Sequence, residues 1–597
     1  MTVRPIAEGK QRLKSPFVVA LVAACCVAVL SGCVSVPTSG PAERIEGQAP
    51  ACRNCVNVDV APPSFGDEPK RIVEGYLRAT SNYQPNYAIA KQYLTKAAAE
   101  KWRPEDGASI YSGTPTASGK STVMLDGRLI GSLGSDRTYT AKNAPLKVNF
   151  GMVSEDGEWR ISKPPPGLLV AEYSFLTFYK SYNIYFIGNG TSLVPDPIYL
   201  PNLPSQANIA SVLMKALLSG PSKWLQPAVT SAIPANTALS VDSVTLQDGV
   251  AEVPLSDAVL PLNDRQRSLL TAQVVYTLKQ AAGIDSVVFK VNQKPFSVPG
   301  ADADSFEVPV DAVPPDVDPI PFGAGEQLYA VRGKAVQLVD ANAGSPNARP
   351  MLGPLGLGKY DVESLAVSVT NTDIAVVTDG GTMLRKAFTS ASTPNGNMST
   401  VTSGVTELLR PQFSRYGELW ALGRLGGRQR LWMFGAGKPI EVGGPILAGG
   451  TVSAFKISPD GARMALVRTT GSRTELGIAR INRSDKITVD GWRPLDTNQS
   501  NTLSISRIQD VGWLDATDML VLGASSPGAA LAPYRVSEDA SRITPEGEPS
   551  NWDAVELSVL LGGQTAIIIG RSGQTWKDDG TQWLPFIDKC KTVAFPG

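Results

Sequence analysis

The chemistry most legible in this chain lies near its start. Leu30-Ser31-Gly32-Cys33 closes a continuous apolar run, Phe17 to Leu30, that follows positive charges at Arg4, Lys10, Arg12 and Lys14. A basic stretch, an apolar stretch of about fourteen residues and small residues before a cysteine make a signal-peptide pattern, too short for a comfortable transmembrane span. Small side chains at Ser31 and Gly32 let an extended backbone enter a signal peptidase, and the Cys33 sulfur is the atom that would accept a diacylglycerol. This is the pattern of a lipobox. It predicts cleavage between Gly32 and Cys33, lipid on Cys33, and a mature chain held at the extracytoplasmic face of a membrane, where two or more acyl chains anchor stably and one does not. The competing reading is an ordinary secretory signal, or an uncleaved anchor, with an incidental cysteine.

Three cysteines remain beyond the signal and the lipid site: Cys52, Cys55 and Cys590. Cys52-Arg-Asn-Cys55 has redox spacing. However, Val56-Asn-Val-Asp-Val60 and Pro62-Pro63 follow it, where a thioredoxin-like motif needs a helix to depress the first thiol. Zinc wants four ligands, and three cysteines would need a carboxylate to complete the set. One structural disulfide in an oxidising compartment is the plainer expectation, and all three pairings are open.

The chain contains no histidine, which removes Ser-His-Asp and Cys-His nucleophile systems and His-ligated zinc or iron. Carboxylate, lysine or tyrosine chemistry survives, but the commonest general base is missing. No metal or cofactor is implied, and the chain is expected not to be an enzyme. The formal charge is zero. Without residues 1–32, which carry four basic side chains and Glu8, the net charge is −3, with no basic footprint for nucleic acid.

At 597 residues, 43% apolar and 18% charged, the chain reads as several globular domains. Residues 1–32 form the signal and 33–66 a Pro/Ser/Gly-rich lipidated tether. The first module, 67–175, opens helically over Pro69–Trp102, with Ile72, Val73, Tyr76 and Leu77 on one stripe. Strands follow over Ser121–Leu125, Arg128–Gly131, Leu146–Val153 and Glu158–Ile161, the last two joined by a turn at Asp156-Gly157. Helices first and a curved antiparallel sheet after are similar to the cone-like fold of the nuclear transport factor family. The second module, 180–307, predicts strand Tyr182–Ile187, helix Ala207–Ser219, and strands Ala238–Leu246 and Gly249–Leu255 about the hairpin turn Asp248-Gly249. Helix Asp264–Ala282 and strand Ser286–Val291 complete it.

After a Pro/Asp-rich linker, 308–321, residues 322–597 repeat. Ser458-Pro-Asp-Gly-Ala-Arg-Met-Ala-Leu-Val467 is the clearest copy, a turn followed by an apolar strand. Stacking weaker copies aligns Leu328, Ile374, Leu419, Met464, Met519 and Ala566, at intervals of 46, 45, 45, 55 and 47 residues. A four-stranded propeller blade takes about that length. The expectation is an all-β propeller of about six blades, within five to seven. Asp460 fits turn chemistry better than catalysis, and no paired carboxylates stand out at matching positions in successive repeats.

Ala216-Leu-Leu-Ser-Gly-Pro221, Ser231-Ala-Ile-Pro-Ala-Asn-Thr-Ala-Leu239 and Asp248-Gly-Val-Ala-Glu-Val-Pro-Leu-Ser256 resemble the GerMN domain of bacterial envelope and sporulation lipoproteins, which carries no known catalytic set. Gly32-Cys33-Val-Ser-Val-Pro37, Tyr93-Leu-Thr95 running to Trp102, Leu193-Val-Pro-Asp-Pro197 and Leu269-Leu-Thr-Ala-Gln-Val-Val-Tyr-Thr-Leu278 extend the likeness to the LpqB lipoproteins of actinobacteria over essentially the full length. The Cys52–Cys55 pair has no place in that pattern. The resemblance implies a non-enzymatic accessory to the MtrA–MtrB two-component system, contacting the extracytoplasmic region of the histidine kinase MtrB in signalling linked to cell-wall homeostasis and division. Two other readings stand beside it: passive binding of cell-wall polymer by the GerMN-like module, and an envelope enzyme with two propeller carboxyls about 5–9.5 Å apart.

Overall fold

The computed structural model describes residues 60–597 apart from 120, 313–314, 322–325, 342–345, 395, 499–503, 548–551 and 564. Gly32, Cys33, Cys52 and Cys55 lie outside the described residues, as do the signal and most of the tether. Where the tether ends, Val60 packs on the first module and the Ala61 carbonyl accepts from the Tyr93 hydroxyl at 2.8 Å.

In the first module α1 (Pro69–Ser81) starts on a proline already set at a helical φ and buries Ile72, Val73, Tyr76 and Leu77 as one stripe. Two short helices follow, α2 (Ala88–Gln92) and α3 (Lys96–Lys101), the latter capped by the Thr95 hydroxyl. These helices lie over a sheet of β1 (Ala108–Ala117), β2 (Val123–Leu133), β3 (Tyr139–Asn149) and, beyond the hairpin β4 (Met152–Glu155) and β5 (Glu158–Ile161), β6 (Leu168–Ala171). The sheet order is β3-β2-β1-β6. Three features depart from expectation. The two strands expected at 121–131 are one, because Gly127 faces Gly113 across the ladder and continues the strand at a close backbone approach. β1 reads in sequence as turn, yet it is central where it pairs β6 over 108–111, and Pro115 falls on the part with an open edge. Helix α4 (Glu172–Phe178) has no apolar repeat long enough to announce it.

The second module begins with the ladder β7 (Tyr179–Ile187) and β8 (Leu193–Pro201). Then come α5 (Gln206–Leu218), β9 (Thr245–Gln247), β10 (Val250–Leu255), α6 (Asp264–Leu278) and β11 (Ser286–Val291). β10 and β11 run parallel with α6 as their crossover, and Asn263 with Gln266 forms a reciprocal cap at its start. The strand expected over Ala238–Leu246 shrinks to β9. Ser211 on α5 takes the Val244 N–H at 2.9 Å, and a tight bend binds Ser243 N–H to the Val241 carbonyl. The Asp248-Gly249 turn is left-handed at both residues, as its hairpin requires. The linker is packed: Val308–Pro309 adds to the edge of β11, and Arg415 donates to the Asp316 and Asp318 carbonyls.

Six four-stranded antiparallel sheets make up the β-rich half among the described residues. Leu328, Ile374, Leu419, Met464, Met519 and Ala566, aligned from sequence, all stand at the start of the second strand of their sheets, and each is essentially unexposed. The first sheet is completed by the last strand of the chain, Cys590–Ala594, paired with Gln327–Arg332. That terminal strand packs beside the first strands of both the second and the sixth sheets, Val362–Val367 and Ala554–Val559.

Candidate functional site

Cys590 is buried on that terminal strand and has no disulfide partner among the described residues, and burial pushes its thiol up to about 12. A thiol so disfavoured as thiolate is a poor nucleophile and a poor metal ligand.

The titratable groups that do converge come from the first strands of the fourth, fifth and sixth sheets and from Arg410, just ahead of the third. A β-bulge interrupts the first strand between Val362 and Ser364, Val452 and Ala454, Ile508 and Asp510, and Ala554 and Glu556. A bulge re-aims the residue after it, and in the fifth and sixth sheets that residue is acidic. Asp510 and Glu556 thus hold matching positions in successive sheets, correcting the expectation that no such pair exists. The sequence hid them because neighbours and equivalents are uncharged: Ser364 and Ala454 occupy the same step.

One arginine bridges the two carboxylates. Arg410 Nη2 lies 2.5 Å from Glu556 Oε1 and 3.5 Å from Asp510 Oδ2, while its Nη1 donates to the Leu557 carbonyl at 2.8 Å. Burial works against the Arg410 charge, but Glu556 and Asp510 outweigh it and its pKa rises. Burial pushes the Glu556 carboxyl up, against the pull of Arg410 and a 2.6 Å bond from the Thr592 hydroxyl. Lys456 stands beside them on the fourth sheet, its ammonium without hydrogen bond or ion pair among the described residues. Burial and the neighbouring Arg410 lower it to about 7. The space these groups share is about 300 Å³ and includes Gln412 and Glu363 at its wall. Neither carboxylate is free, since the arginine occupies the gap between them; the unpaired base in this space is Lys456.

A second polar system joins the modules. Asp460, in the turn of the clearest repeat, accepts from Ser458 and from Ala462 N–H, as turn chemistry requires, and also pairs with the fully buried Arg463. Arg463 reaches across to Glu538 of the next sheet and to the Ala516 carbonyl. On the outer side Ser192 of β7–β8 meets the Tyr416 hydroxyl at 2.8 Å, and Tyr416 donates to the Asp460 carbonyl. Tyr199 of β8 donates to Asp539 at 2.8 Å, Trp224 Nε1 to the Gly491 carbonyl at 2.6 Å, and Arg542 to the Leu176 carbonyl of α4 in the first module and the Tyr179 carbonyl at the start of β7. The described residues from 60 onward form one compact unit. Sequence offered no signal for these long-range pairs, because turn residues and interface residues share one composition.

Three matched regions fit this layout. Residues 62–176 match the lipoprotein LpqB N-terminal domain, 183–297 a domain described as sporulation and spore germination, and 337–593 the lipoprotein LpqB beta-propeller domain. The structure and these matches define a multi-domain lipoprotein with an α+β N-terminal region and a large β-rich C-terminal one. The chain belongs to the LpqB lipoprotein family. It is 28% identical to lipoprotein LpqB of Cutibacterium acnes, covering 95% of this chain and 97% of that one, and 26% identical to that of Streptomyces avermitilis, covering 99% and 100%. Among solved structures, TolB of Acinetobacter baumannii shares 16% identity, with a TM-score of 0.35, over 53% of this chain and 84% of its own.

Proposed function

We propose that this chain is a lipid-anchored, extracytoplasmic accessory protein that binds and modulates a sensor histidine kinase of the MtrB type, without catalysis or cofactor of its own. The six sheets are read as six blades of one propeller and the first module as a cone of the nuclear transport factor kind. The single observation that carries the reading is the seam of Tyr199, Trp224 and Arg542, whose hydrogen bonds tie the β-rich half to the first two modules. Independent catalytic domains do not need such a seam; a surface assembled from several modules for a protein partner does. The lipoprotein names of the relatives support the lipid anchor, and the partner class rests on the family resemblance read from the sequence. The bridging of Asp510 and Glu556 by Arg410 supports a non-enzymatic role, since a glycosidase needs an unbridged pair with room for substrate.

In-cell photo-crosslinking from positions on the β-rich half, followed by mass spectrometry, tests this reading. Recovery of a histidine kinase is expected, and its repeated absence from crosslinked material counts decisively against it.

A further inference from the structure

Where the three modules meet, a cleft of about 560 Å³ opens to solvent. The first module contributes the turn Gly134 to Thr140, the second Asp196 and Ser222 to Trp224, and the propeller Arg493 and Asp539. Its size and its place at a domain boundary are those of a small-molecule site, about 300–1,000 Å³.

Arg493 dominates its chemistry. The guanidinium lies over the Trp224 ring at 4.3 Å and uses one hydrogen bond, Nη2 to the Glu538 carbonyl at 3.2 Å, of the five it can donate. Its Nε is buried without an acceptor, and no carboxylate is within ion-pair distance among the described residues. Burial lowers its pKa, with Asp539 and Asp196 opposing from a distance. Arg410 and Arg463, by contrast, are each held by two carboxylates, although the Arg463 Nε likewise has no acceptor. Trp224 is itself fixed, donating to Gly491 and accepting from Arg480.

The surrounding charge decides which ligand would satisfy those donors. Asp539 is spent on Tyr199, Ser537 and Ser541, and Asp196 on Ser222. With Asp136 at the rim they set three carboxylates against Arg493 and Lys223. A fully charged anion would gain the guanidinium but face that acidic surplus; a cation would face Arg493. A neutral molecule rich in oxygen acceptors meets the donors without either cost, and the Trp224 ring and Pro197 supply an apolar wall for a methyl group.

We propose that this cleft binds a neutral N-acetylated saccharide, its acetamido carbonyl accepting from the Arg493 guanidinium. This stands apart from kinase contact, so failure of one leaves the other intact.

Saturation-transfer NMR on the full chain with triacetylchitotriose, cellotriose and trigalacturonate tests the assignment. Chitotriose signals are expected to outrank cellotriose, with trigalacturonate giving none. Arg493→Gln should weaken chitotriose binding roughly tenfold or more, the effect of losing a charge-assisted bond. Ser135→Trp, at an exposed turn on the rim, should block the cleft without touching any core, so a misfolded Arg493 variant does not decide the matter. Absence of chitotriose binding, binding unaffected by Ser135→Trp, or preference for the acidic trimer each overturns the proposal.

Discussion

The Tyr199 hydroxyl donates to Asp539 at 2.8 Å, so a strand of the second module satisfies a carboxylate of the fifth sheet that lies 340 residues further along the chain. Both side chains are buried, at 2% and 4% exposure. Tyr199→Phe keeps the ring among Tyr139 and Phe175 and removes only the donor. Because Asp539 retains Ser537 and Ser541, the cost falls at the low end of the range for an unsatisfied buried group, about 1–3 kcal/mol. Urea denaturation of the full chain measures it, and an unchanged midpoint refutes the seam's contribution.

Arg463 tests the buried ion-pair network behind that seam, within the β-rich half. It has no exposed surface and compensates Asp460 and Glu538 together. Arg463→Met leaves two carboxylates buried without a cation, which costs about 3–5 kcal/mol when one partner of a buried pair is removed. Adding Glu538→Met should recover part of the loss, because the remaining Asp460 still holds its turn bonds. Thermal denaturation of the single and double variants separates these outcomes.

The aligned residues Leu328 to Ala566 announced the second strand of every sheet because that strand is buried on both faces and must be apolar whatever its neighbours. Hairpins at Asp156-Gly157 and Asp248-Gly249 were legible because a left-handed pair of residues admits few sequences. β1 was not legible, since its Ser, Gly, Thr and Pro are turn formers placed in a strand by tertiary pairing. The carboxylate pair escaped for a related reason: a bulge shifts side-chain facing by one residue, so Asp510 and Glu556 break the alternation by which residues of one face are recognised. Arg463 and Arg493 differ by nothing local, and only the fold gives one two carboxylates and the other an aromatic ring.

The proposed anchor would rest on one sulfur. Cys33→Ala leaves the basic and apolar parts of the N-terminal stretch intact but removes the proposed acyl acceptor. Metabolic labelling with a clickable palmitate analogue should mark the wild-type chain and not the variant, and the variant should leave the membrane fraction. Equal labelling of both would place the lipid elsewhere.

Lys456 gives the fold a pH dependence whose direction follows from its surroundings. Its ammonium is lowered to about 7 in the folded chain, by burial first and by Arg410 second, against an ordinary value of 10.5. Between those values the unfolded chain holds a proton that the folded chain has released, so stability contributed at this site rises with pH across that window. Below about pH 7 both states carry the charge and the folded one bears the full penalty of burying it. Lys456→Met removes the penalty. The variant should therefore be more stable than the wild type by on the order of a few kcal/mol near pH 6. The gap should narrow steadily towards pH 10 as the native amine becomes neutral. Urea midpoints for the two proteins across pH 6–10 test the sign: a gap that widens with pH, or a variant less stable at pH 6, would mean that Lys456 holds its proton through a partner instead of standing alone beside Arg410.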